Sequence, residues 1–162
     1  MPINSPENNF ILARSQEHKL ILETLGEMEG CLKYSTAEEL VDKLKELIDR
    51  FSENISRHQV LEERVIFAAA LKVMPTDKVV EITTQLIKEH GIFEAAIASV
   101  RNLLFANCES ASIKRIIEKE LQATINQVKK HSLLEVKTLF PMLSANPQCK
   151  TAIDSLATKI QI

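Results

Sequence analysis

A chain of 162 residues, 45% hydrophobic and 26% charged, can bury a real core and has the balance of a soluble globular protein. Its net charge of −2 gives no electrostatic reason to expect nucleic acid or an anionic membrane as a partner, and Lys129–Lys130 reads as a solvated helix face. Cys31, Cys108 and Cys149 are odd in number and lack Cys-x-x-Cys spacing, which points to a reducing, cytoplasmic compartment rather than a disulfide framework.

The start, residues 1–10, is polar and carries no apolar signal-peptide core. The longest uncharged apolar run, residues 65–71, is too short to span a bilayer. Three glycines and five prolines are few, which favours long helices over many short strands. The first helix is predicted over residues 5–32, with Pro6 suited to a first turn and an inward stripe through Ile11, Arg14, His18, Ile21, Leu25 and Met28. The second, 35–73, opens at Ser35 with Glu38 and Glu39 in a capping arrangement and stops before Pro75. Its stripe runs through Leu44, Ile48, Phe51, Ile55, His58, Glu62 and Val65. The third, 76–105, aligns Thr83, Leu86, His90, Phe93, Ile97 and Val100. The fourth, 110–143, aligns Ile117, Leu121, Thr124, Val128, His131 and Glu135, and Pro141 predicts a distorted or finished last turn. A short fifth helix, 147–159, gathers Ile153, Leu156 and Ile160 on one face. Short connections make neighbouring helices antiparallel. The expected fold is all-α: an up-down-up-down four-helix bundle with a short C-terminal fifth helix, residues 1–162 forming one domain.

Polar residues interrupt these stripes in a regular way. The chain has four histidines, one per main helix, each at an inward position. His58 and His131 are each followed four residues later by glutamate, Glu62 and Glu135, on the same helix face. The pattern also repeats: His18 and His90 are 72 apart, while His58 and His131, like Glu62 and Glu135, are 73 apart. Glu17 and Glu89 precede the first pair, and Phe67 and Phe140 follow the two glutamates by five residues, where they read as core packing around the site. Two helical hairpins related by an approximate two-fold axis would each supply half of one site.

Burying an unpaired ionised carboxylate costs several kcal/mol, and two close together also repel. A single inward histidine is more often a hydrogen-bonded core residue than a ligand. Four in phase, with two matched glutamates, point instead to a pair of cations held by His18, His58, Glu62, His90, His131 and Glu135. Mixed imidazole and carboxylate donors suit iron, manganese or zinc. Glu94, one turn after His90, is a further candidate ligand, although its counterpart in the first half is Leu22.

One spacing is uneven. His18 lies 16 residues before Tyr34, whereas His58 lies 24 after it, which predicts a bent or overhanging second helix or a longer connection.

The series His18, His58-x-x-x-Glu62, His90, His131-x-x-x-Glu135-x-x-x-Leu-Phe-Pro141 resembles the hemerythrin-like, or HHE cation-binding, domain. The resemblance covers the four main helices and implies a non-haem di-iron centre with an oxo or hydroxo bridge. It implies that His18 and His58 bind one iron, that His90 and His131 bind the other, and that Glu62 and Glu135 bridge them. Oxygen-carrying hemerythrins differ in having a second histidine on the third helix and an aspartate five residues after the last histidine. The departure points away from a reversible oxygen carrier and towards proteins associated with iron, oxygen or nitric-oxide responses. The leading expectation is therefore a di-iron protein that senses or handles oxygen, nitric oxide or iron, with O2 or NO as small ligand. An oxidoreductase or peroxide-reducing enzyme is the second reading, and no separate acid, base or nucleophile stands out for it. A metal-stapled interaction bundle, recruiting a partner through the fifth helix or an outer face, is the third, and exposed apolar residues over 147–162 would favour it. The reading allows a homodimer.

Overall fold

The computed structural model describes residues 7–34, 37–106 and 111–160. Pro6, Cys108 and the expected cap at Ser35 lie outside them. Helix α1 is Glu7–Tyr34, α2 covers residues 37–73, α3 is Asp77–Phe105, α4 covers 111–144 and α5 is Pro147–Ala157. The helix ends follow local chemistry. Thr76, in extended conformation, accepts the Val79 amide at the start of α3. Asn146 accepts the amides of Gln148 and Cys149 to start α5, with Pro147 in the first turn, where a missing N–H costs nothing.

Each of the four long helices packs on the next, and α4 returns to α1, giving the all-α four-helix bundle. The expected stripes face inward: Leu25, Met28, Leu44, Ile48, Phe51, Phe93, Ile97, Leu121 and Ile125 are buried in one core region. Ile66, Phe67, Leu86, Leu139, Phe140 and Leu143 form a second. The histidines and their glutamates occupy stripe positions between the two. Helix α5 buries Ile153 against Val65 and Ala69, with Leu156 and Ile160 packed alongside. Full burial of a side chain such as Ile153 contributes about 1.5–3 kcal/mol, enough to dock a short helix onto the bundle. No helix among the described residues is long and apolar enough to cross a membrane.

Two of the helices are not α-helical throughout. Glu62–Phe67 in α2 and Glu135–Leu139 in α4 are single wide π-helical turns. In α4 the amide of Phe140 bonds back to the carbonyl of Glu135, five residues earlier. Pro141 therefore does not end its helix; the distortion lies in the turn before it, and the chain stays helical to Ser144. Proline does not cause the wide turn, because its counterpart in α2, Ala68, follows the same distortion. What the two turns share is a buried glutamate at the first position.

The uneven spacing has a simple origin. His18 lies sixteen residues before the end of α1 and His58 twenty-one after the start of α2, an offset of five residues, or about 7.5 Å. Helical side chains lean towards the N-terminus. Helix α1 runs towards the connection and α2 away from it, so His18 leans away from the connection while His58 leans back towards it. Their rings meet with centroids 4.5 Å apart. The same five-residue offset recurs in the second hairpin, between His90 before Phe105 and His131 after Ala111. Neither a bend nor a longer connection is needed.

Candidate metal centre

Helix α1 contributes His18, α2 His58 and Glu62, α3 His90, and α4 His131 and Glu135. All six are buried, and both glutamates are completely so. Their polar ends converge. His18 Nε2 lies 3.2 Å from Glu62 Oε1 and 2.9 Å from Glu135 Oε2. His58 Nε2 lies 2.7 Å from Glu62 Oε1, and His90 Nε2 3.4 Å from Glu62 Oε2. His131 Nε2 lies 3.5 Å from Glu135 Oε1. The result is two overlapping groups able to hold a cation: His18, His58, Glu62 and Glu135 in one, Glu62, His90, His131 and Glu135 in the other. Each glutamate belongs to both. Each opens one of the π-helical turns, a distortion often found at functional sites because it re-aims side chains locally.

Outside this cluster stands a set of carboxylates. His58 Nδ1 is 2.7 Å from Glu17 Oε2, His90 Nδ1 2.7 Å from Glu63 Oε1, and His131 Nδ1 2.7 Å from Glu89 Oε2. Phenyl rings cover the other flanks: Phe140 stacks on His18, Phe67 on His90, and Phe93 meets His131 edge-on. Burial by itself lowers an imidazole pKa, but here the carboxylates outweigh it. Glu135 and Glu62 raise His18 to about 9, Glu17 and Glu62 raise His58, and Glu135 and Glu89 raise His131. Burial likewise works to raise the Glu62 carboxyl, yet His18, His58 and His90 hold it well below the usual carboxylate range.

The model of the Hemerythrin HHE cation binding domain family matches residues 14–143. This chain belongs to that family. The match takes in all six buried residues and most of the four long helices. No curated protein and no solved structure matches the chain.

The family name implies a cation, and the donor set of this HHE domain fits one. A carboxylate can only accept, so Nδ1 of His58, His90 and His131 each donates a proton outward to its glutamate. In the neutral imidazole this leaves a lone pair on Nε2, aimed at the centre. His90 Nε2 and His131 Nε2 then face each other at 3.1 Å. Two lone pairs at that distance repel unless a proton or cation lies between them. Glu62 Oε2, both Glu135 oxygens and His58 Nε2 are buried without a hydrogen-bond partner; His58 Nε2 is close to Glu62 Oε1 but not aligned with it. Acceptors of this kind, nitrogen and oxygen mixed, are what a divalent transition cation binds.

Glu94, the further candidate ligand, stands away from the converging side chains. It is exposed and lines a separate surface pocket with Ser52, Ser56 and Arg101, outside both groups. Glu94 does not hold the inward position one turn after His90. In α3, Phe93, three residues after His90, takes that place. Three residues for which the sequence suggested no function act on the site: Glu17, Glu63 and Glu89. The repetition of Glu17 and Glu89 before each histidine was a visible signal, but each reaches the histidine of the next helix rather than its own neighbour. Gln59 is the other addition. It is buried, both of its side-chain polar atoms lack partners, and it lines a cavity of about 10 Å³ beside the four histidines, space for roughly one water. The apolar walls of that cavity are Ile21, Ile55, Phe93 and Val128.

Proposed function

We propose that this HHE domain is a non-haem di-iron protein that senses or handles oxygen, nitric oxide or iron. One observation carries the reading: two buried groups, each with two imidazoles, share the same two carboxylates. A shared carboxylate pair suits two cations side by side better than one, because each glutamate has two oxygens, with Glu62 close to His18, His58 and His90 and Glu135 close to His18 and His131. His18 and His58 would hold one iron, His90 and His131 the other, and Glu62 and Glu135 both. Iron bound in this way supplies redox chemistry and an affinity for small ligands such as O2 or NO.

The chain's own residues support that role in three ways. The outer glutamates orient the imidazoles and keep their Nε2 lone pairs inward. Phe67, Phe93 and Phe140 exclude water from the imidazole faces. The cavity beside Gln59 admits only a very small molecule, and its apolar walls with one free amide suit a diatomic ligand. For the interaction-bundle reading, the apolar side chains of α5 pack against the bundle, which leaves an outer face as the surface that would recruit a partner.

Elemental analysis and absorption spectroscopy test the proposal. Two irons per chain are expected, with a spectrum that changes when O2 or NO is added anaerobically to the reduced protein. Glu62→Ala and His58→Ala should lose iron while far-ultraviolet circular dichroism keeps its helical shape. One iron per chain, or iron content unaltered in both variants, would overturn it.

A further inference from the structure

The two-fold repetition of the site is broken outside its six inner residues, and always in the same direction. Glu63 has its counterpart 73 positions on at Val136. In the second half-site, His90 and His131 therefore each have a carboxylate on Nδ1, from Glu63 and Glu89. In the first, only His58 does, from Glu17, while His18 Nδ1 is buried without a partner. Glu17 is also the weaker support. Its other oxygen pairs with the buried guanidinium of Arg14 at 2.7 Å, which draws negative charge away from the imidazole. Glu89 has instead a neutral neighbour, the Gln85 amide at 2.9 Å, and the counterpart of Arg14 is the apolar Leu86.

A carboxylate accepting the distal N–H makes an imidazole a stronger donor, and removing one such partner typically lowers metal affinity about 10- to 100-fold. We propose that the two half-sites are unequal, and that the pair His90 and His131 takes the first divalent transition cation. His18 and His58 take the second, more weakly. Charge repulsion between neighbouring cations separates two binding steps in any such centre; the outer residues choose which half fills first. The inference rests on the dinuclear reading above.

Anaerobic titration of the metal-free protein with Co2+, followed by its visible absorption, reads both steps. Glu63→Gln should weaken the first step about 10- to 100-fold. Val136→Glu should tighten the second by a similar factor and leave the first unchanged. Glu63 and Val136 both lie at the surface, 41% and 44% exposed, so neither change opens the core. His18→Ala should keep one tight equivalent, and His90→Ala only a weak one. Unchanged steps in both Glu63→Gln and Val136→Glu, or a tight step that survives His90→Ala and disappears in His18→Ala, would refute the ordering. The dinuclear reading fails differently, by fewer than two cobalt ions bound per wild-type chain.

Discussion

Removing the metal should make the protein's stability fall with rising pH where the loaded form stays nearly level. In the metal-free protein, His18 is raised from 6.5 to about 9 because Glu135 and Glu62 outweigh burial. A raised imidazole pKa stabilises the fold fully below 6.5, and that contribution is lost as pH rises through about 9. A rise of this size corresponds to about 3 kcal/mol, with His58 and His131 shifting in the same direction. The chelated protein should therefore lose stability between pH 6.5 and 9. With cations bound that loss is offset, because each must first displace the proton that the imidazole would hold and so binds more tightly as pH rises. At pH 7, two units below the His18 value, that displacement costs about 2.7 kcal/mol, a factor of about 100 in apparent affinity. Loaded protein should hold its stability nearly level over the same interval, since above 6.5 the unfolded imidazoles have also largely lost their protons. Thermal unfolding of both forms from pH 6 to 9 measures the two slopes. Calorimetric titration with Zn2+ in buffers of different ionisation enthalpy counts the protons released, and at least one per chain is expected at pH 7. Parallel stability curves together with no released proton would refute the reasoning, since imidazoles that bind cations cannot remain protonated.

Three further substitutions probe the surroundings of the site. Phe93→Ala removes a buried ring packed edge-on to His131 and should cost about 3–5 kcal/mol in urea unfolding; a loss under 1 kcal/mol would mean the space simply collapses. Glu94→Ala should leave the number of cations per chain unchanged and alter stability by no more than about 0.5 kcal/mol, so loss of a cation would restore Glu94 as a ligand. Gln59→Leu should raise stability by about 1–3 kcal/mol, by removing two unpartnered buried polar atoms, while weakening nitric-oxide binding to the reduced, iron-loaded protein. Nitric-oxide affinity equal to wild type would mean that Gln59 does not contact the bound ligand.

The bundle was legible in the sequence because burial in a helix repeats every three to four residues, and the third-helix stripe from Val79 to Leu104 is buried throughout. The inner site was legible for a related reason. Burying four histidines and two carboxylates is so costly that finding them in phase leaves few explanations. Glu94 marks the limit of that argument: an i, i+4 offset holds a residue near its partner's face, but Phe93 won the inward position in α3. The offset worked for Glu62 and Glu135, each of which opens a π-helical turn that α3 does not have.

Residue order by itself determined which helices form, which face each buries, and that six ionisable groups share one interior. Tertiary structure alone decided how those groups are supported. Glu17 serves His58, Glu89 serves His131, Glu63 serves His90, and His18 is left with a bare Nδ1, because hydrogen bonds between helices depend on their relative height and rotation. Periodicity within one helix reports its own inward face and nothing about the register of the next. That register follows from how far each side chain leans along its helix axis, a distance that appears only when the helices are packed together.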